Sequence, residues 1–395
     1  MTRPLDGIRV IDFSQIYAGP YATLLLAYLG ADVIKIEPPG RGENLRRPDP
    51  QTGATNYGFL MLNAEKRSVT LNLKHPRGRE LALKLLEGAD ILIENFGAGA
   101  MEAYGLGYEQ IAERFPRLIY ASGKGYSSES RWARLGAFDN SVQAASGFID
   151  ITGFAEQRVK TSATTIDMGT GSHLVTGILA ALLQRGKTGR GQKVDIAMLD
   201  VAVPPLTSAL ANIFAGRKFR RLGNRHWGTC PTDIYPSRDG DVLIFCNSDA
   251  KFKTLARLCG RPELADDPRC ATPGSRIRIA DELDQVITAW TRTLTRDEII
   301  SALIEADIPC APVRAIEEVA ADPELRRRGL LIDSEYPNQG TITVLGMPIR
   351  MSQAPAPDPR DVRRPPQLGE HTTEVLAALG LDASEITRLH DDGVI

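Results

Sequence analysis

The sequence predicts an α/β protein, with a large domain built on a mostly parallel sheet covered by helices and a smaller α/β domain. Short β-rich runs alternate with helical ones over the first two hundred residues, which is the pattern of βαβ units. Near Arg217 the composition turns polar, basic and glycine-containing, and a second alternation follows it. At 395 residues and 43% hydrophobic content, the chain can bury the cores of two domains.

The elements follow in order. "IRVIDFS" is a β-rich run, "YATLLLAYLG" is helical and stopped by Gly30, and "DVIKIE" is a second strand. "SVTLNL", "PRGRELALKLLEG" with Pro76 near its start, "DILIENF" and "RLIYASGKGY" continue the alternation. "GSHLVTGILAALLQR" is a helix closed by "GKTGRG", then "QKVDIAM" is a strand and "LDVAVPPLTSALANIFAG" a helix. "RKFRRLGNRHWGTCPTD" reads as a linker or active-site loop. "DVLIFC", "KFKTLARLC", "ELDQVITAWTRTL" and "RDEIISALIEADIP" make the smaller domain. "LLIDSEYP" and "TITVLGMPIRM" form an antiparallel pair, and a Pro-rich connection leads to the helical "EHTTEVLAALG".

Several function classes are disfavoured. Lys and Arg number 47 against 49 Asp and Glu, so no broad basic field is offered to nucleic acid. The start, "MTRPLDGIRVIDFS", lacks the apolar run of a leader, and "YATLLLAYLGADVI" is broken short of a membrane span. The expectation is a cytoplasmic protein without membrane partners. Five cysteines without CxxC spacing and five scattered histidines call for neither a disulfide framework nor a metal. "GKT" at 186–188 lacks the earlier glycine of a phosphate-binding loop, and "SQIYAGPYA" lacks the GxGxxG of a dinucleotide site.

Asp167, in "TTIDMGTGSH", is the most informative residue. It reads either as a helix cap or as a carboxylate nucleophile toward an activated acyl group, because the small residues after it let a bulky ligand approach a helix N-terminus. "ENFGAGAM" after a strand suits close approach of a phosphate or pantetheine chain, or is simply a tight turn. Lys66, Arg67 and Lys124 lie near strand ends, where open α/β sheets bind ligands, so an anionic ligand is expected there unless they are solvated charges.

Taken together, "LDGIRVIDFSQIYAGPYATLLLAYLGADVIKIEPPG", "LNAEKRSVTLNL", "ENFGAGAMEAYGLGYEQI", "TGRGQKVDIAMLD", "DIPCAPV" and "LGEHTTEVL" resemble the family III CoA transferases over nearly the whole chain. The resemblance implies Asp167 as catalytic nucleophile, forming an aspartyl anhydride and then an aspartyl-CoA thioester. It places Lys66, Asn95, Phe96, Lys124 and Met198 along the CoA site, with Arg67 a stand-in for a missing phosphate contact. Gln15, Tyr126 and Gly169 would stabilise charge at the reacting carbonyl. It implies a Rossmann-like large domain from residues 1–216 and 321–395, a linker at 217–232 and a small domain at 233–320, in an interlocked homodimer. Coenzyme A is then a substrate, exchanged between an acyl-CoA and a small carboxylic acid, with no permanently bound cofactor.

Two departures qualify the resemblance. Ala103 stands where relatives often carry Arg, and the glycine-rich loop of formyl-CoA transferases has no counterpart after Arg221. Arg221, Arg225 and His226 are instead candidate partners for a dicarboxylate, or linker charges. The same superfamily contains 2-methylacyl-CoA racemases, but Phe138 occupies the place of their proton-shuttling histidine. A non-catalytic CoA-binding protein is the remaining alternative.

Overall fold

A computed structural model describes residues 3–50, 53–354 and 357–395. They form two compact units: residues up to 149, 160–217 and from 324 onward make unit one, and 150–159 with 218–323 make unit two.

Unit one is built on six parallel strands: β1 (Arg9–Asp12), β2 (Asp32–Glu37), β3 (Arg67–Thr70), β4 (Ile91–Glu94), β5 (Ile119–Lys124) and β6 (Lys193–Ala197). Their order is β3-β2-β1-β4-β5-β6. The central strands read as continuous apolar runs because both faces are covered: Val10, Ile11, Leu92 and Ile93 are fully buried. The connection after β1 leads to one side of the sheet and the later ones to the other, so the order reverses between β1 and β4. A crevice opens at such a reversal, outside the carboxyl ends of the strands.

Four helices of unit one position the site: α1 (Ala18–Tyr28), α2 (Asp139–Ser146), α3 (Thr165–Thr188) and α4 (Met198–Ala202). Helix α1 is buried almost all round, packed against α3. Gly171 makes that contact possible, since a Cβ there would stand 2.6 Å from the Ala18 carbonyl oxygen. By length and composition α3 could cross a membrane, yet it buries Leu174, Val175, Ile178 and Ala181 in the core and anchors Arg185 on Asp90 at 2.8 Å. It begins at Thr165, six residues earlier than its apolar pattern indicated, so Asp167 lies inside its first turn. The helix expected over 199–216 is interrupted instead, because Pro204 and Pro205 lack the N–H groups that would continue it.

The outer edge of the sheet is closed by residues distant in sequence. Ser68 O accepts from the His371 N–H at 2.9 Å, the Thr70 N–H donates to Thr372 Oγ1 at 3.0 Å, and the Asn72 N–H donates to Val394 O at 2.7 Å. The ribbon β10 (Leu331–Tyr336) and β11 (Gly340–Leu345) pairs antiparallel, as its sequence indicated, and adds Ile332, Ile342 and Val344 to the core of unit one.

Unit two holds the antiparallel strands β7 (Thr232–Pro236), β8 (Asp241–Phe245) and β9 (Cys310–Val313), in the order β9-β8-β7. Helices Asp249–Leu258, Ala280–Thr291 and Arg296–Glu305 cover them through Phe252, Leu255, Leu283, Ile287, Ile299 and Leu303. Residues 150–159 group with this unit because Arg221 donates to the Asp150 carboxylate and to the carbonyls of Phe154 and Ala155.

Candidate active site

The reversal between β1 and β4 brings two predicted residues together. Asn95, just past β4, accepts from the Gln15 N–H and donates to the Gln15 carbonyl, both at 2.8 Å. Its amide therefore clamps the turn after β1. Ile16 in that turn has φ +68°, a conformation β-branched residues rarely adopt, and its N–H donates to Glu43 Oε2 at 3.2 Å.

Beside the clamp lies a cleft of about 310 Å³ whose lining includes Gln15, Arg41, Asn44, Lys74, Phe96 and Tyr104. Arg41 and Lys74 are exposed cations in the loops after β2 and β3, the carboxyl ends of their strands. Sequence reasoning missed both; counting cations only past the C-terminal end of each strand would have found them.

Lys66 and Arg67 both pair within the protein. Lys66 is sealed, with its ammonium donating to Pro20 O at 2.9 Å and Asn63 Oδ1 at 2.8 Å and lying 3.5 Å from Asp12. Burial pulls its pKa down against the opposing pull of Asp12. Arg67 opens β3, so it sits at the amino edge of the sheet, where it pairs with Asp32 at 2.6 Å and Glu374 at 3.0 Å. Lys124 does stand at the carboxyl edge, bonded to Glu94 at 2.6 Å and Phe96 O at 2.7 Å, where it fixes the turn that carries Phe96. Tyr126 follows it, buried edge-on against Trp132.

Helix α3 connects β5 to its parallel neighbour β6, so its N-terminus also faces the carboxyl edge. Asp167 is 9% exposed there, and no described residue donates a hydrogen bond to its carboxylate. Thr164, at the cap position, gives no side-chain bond. The cap comes from elsewhere: Asp139 Oδ2 accepts from the N–H groups of Ile166 (2.9 Å) and Asp167 (3.0 Å). Gln143 holds Asp139 and is itself tied to the backbone of Thr161. Burial first, and the Asp139 charge second, push the Asp167 pKa up to about 7.

Asp167 is thus not a cap but a capped, desolvated acid. Gly169 lies inside the helix, one residue past Met168, whose N–H closes on Thr164 O at 3.1 Å. Met198 packs with Ile166, Val142 and Ala202 in a small core beneath this turn. In unit two, Arg221 and Arg225 are engaged internally, Arg225 with Asp281 and Asp284 at 2.6 Å each, and the His226 ring packs on Trp227 and Phe245. Neither arginine is left over for a substrate carboxylate. Among the described residues no cluster of three or more metal-ligating side chains occurs.

Comparison with known proteins bears on this arrangement. The profile of CoA-transferase family III matches residues 5–372. The formyl-CoA:oxalate CoA-transferase of Streptomyces avermitilis is 37% identical over the full length of both chains. The succinate–glutarate CoA-transferase of Agrobacterium fabrum is 36% identical over 95% of this chain and 96% of its own. A CaiB/BaiF family protein from Brucella suis superposes with a TM-score of 0.85 at 34% identity, covering 96% of this chain and all of its own. With this match over a six-stranded parallel sheet whose crevice holds a polar cleft, the chain belongs to the family III CoA-transferases.

Proposed function

We propose that the protein moves CoA between an acyl-CoA and a small carboxylic acid by covalent catalysis on Asp167. The observation that carries this reading is a desolvated carboxylate at a helix N-terminus with no cation beside it, an expensive arrangement for structure alone and a suitable one for a nucleophile. An Asp167 oxygen attacks the thioester carbonyl, the C–S bond breaks, and an aspartyl anhydride and CoA thiolate result. The thiolate attacks the aspartyl carbonyl and releases the donor acid. The acceptor carboxylate then displaces CoA as a second anhydride, and the thiolate takes the new acyl group, restoring the Asp167 carboxylate. Each thioester replaces another of similar energy. CoA lies in the cleft beside Gln15, with Arg41 and Lys74 facing its phosphates and occupying the role that Ala103 cannot fill.

The same reading makes the working form a homodimer, in line with the exposed apolar side chains of Leu183 (74%) and Phe214 (82%). Light scattering coupled to gel filtration tests it.

The covalent step is tested by incubating the protein with succinyl-CoA or acetyl-CoA, quenching with hydroxylamine and digesting. A hydroxamate on the Asp167 peptide is expected. Its absence with both donors, while CoA binds, counts against the reading.

A further inference from the structure

We infer that Asn44 is a positioning residue that decides which end of the Gln15 carboxamide meets the reacting carbonyl, with Glu43 fixing the turn beneath it. This rests on the proposed transfer reaction at Asp167.

Three backbone groups hold the turn in place. The Gln15 N–H and carbonyl are both taken by Asn95, and the Ile16 N–H is taken by Glu43 Oε2. The same Glu43 oxygen accepts from the Leu45 N–H at 2.8 Å, and its partner Oε1 is buried 3.8 Å from Lys35. Ile16 accordingly stays left-handed at φ +68°. Two residues later the chain enters α1 at Ala18, whose carbonyl abuts Gly171 of α3, one turn below Asp167.

What remains free is rotation of the Gln15 amide, and a chain of one-way donors sets it. A guanidinium can only donate, so the atom of Asn44 that Arg47 Nη2 approaches at 3.4 Å is Oδ1. That turns Asn44 Nδ2 toward Gln15, where it donates to Oε1 at 2.7 Å. The oxygen of Gln15 is thereby engaged and its NH₂ left over, with no described residue accepting from it. Gln15 presents a donor, the polarity that stabilises a carbonyl oxygen gaining negative charge; its oxygen in the same place would repel it.

The test compares Asn44→Asp with Asn44→Ala. Asn44 is exposed, so both variants should fold. Asp can only accept, so it draws the Gln15 NH₂ toward itself and turns the oxygen outward; kcat should fall about 100-fold while KM for the acyl-CoA moves little. Ala merely frees the amide, and its loss should be about tenfold smaller. In a Gln15→Ala background the Asn44→Asp loss should vanish. Equal losses for Asp and Ala, or an undiminished Asp effect without Gln15, overturn the inference while leaving the transfer reading intact if wild-type protein yields the Asp167 hydroxamate. A wild-type protein that binds CoA and yields none with either donor overturns both.

Discussion

Two buried aspartates in unit one are treated in opposite ways. Asp12, at the end of β1, is fully buried and accepts from the Ser14 N–H at 2.8 Å, from the Ser14 hydroxyl at 2.5 Å and from Thr23 Oγ1 at 2.7 Å, with Lys66 at 3.5 Å. Burial raises its pKa, but Lys35, Lys66 and the two hydroxyls outweigh that and bring it below the ordinary range. Asp167 is nearly as buried and has neither cation nor donor, only a second carboxylate nearby. A protein that can satisfy a buried acid so completely at one place leaves the other unsatisfied at the end of a helix. The first arrangement holds the sheet to its loops; the second, on the proposed reading, keeps a carboxylate reactive.

Substitution should separate the two roles most sharply. Asp167→Ala should lower transfer by about 10⁴-fold or more without lowering the unfolding midpoint, as measured by steady-state kinetics and thermal melts. Asp12→Ala should instead cost ~3–5 kcal/mol of unfolding free energy, read by denaturant titration, because Lys66 is left buried without its acid. If the Asp12 variant lost only activity, the contrast would collapse.

The same contrast appears with pH. Asp167 must be ionised to attack, so kcat should rise with pH through about 7. Asp139→Asn keeps an oxygen for the two N–H groups but removes the neighbouring charge, so the inflection of the kcat profile should move to lower pH. An unmoved inflection would leave burial as the sole cause.

Stability gives a smaller effect of opposite sign. The native state holds the Asp167 proton more tightly than the unfolded chain does. Its contribution to stability is therefore complete below 3.8 and is lost as pH climbs through about 7. Asp167→Asn should accordingly raise unfolding free energy at pH 8 by ~1–2 kcal/mol, with the gain fading below pH 4, as urea titrations at the two pH values would report.

The smallest expected effect on kinetics concerns the arginines of unit two. Arg221→Ala should lose about 1.5–3 kcal/mol of stability through its bonds to residues 150–155. It should also leave KM for every acid within about twofold. A large KM increase for dicarboxylates alone would restore Arg221 as a substrate contact.

Much of this was legible in the residues. All six strands of the large sheet were visible as short apolar runs, because a buried parallel strand has few polar positions to obscure it. Asp167 stood out by its small neighbours and by family resemblance. Asp139 did not: its partners are backbone N–H groups 27 and 28 residues on, and such bonds leave no side-chain pattern to read. The positions of Lys66 and Arg67 were hard to read for a related reason. Proximity to a strand does not say which end of it is meant, and only the carboxyl end of a parallel strand opens on the crevice.

The closure of the sheet edge bears on how the chain is made. Ser68 waits for His371, a separation of 303 residues. At the ~5–20 residues per second of translation, that interval lasts roughly 15–60 s. Throughout it, β3 is a strand with an open side, a template on which a neighbouring nascent chain can add its own strand. Exposure of that edge during synthesis, and not the stability of the finished fold alone, then bears on how much folded protein is recovered.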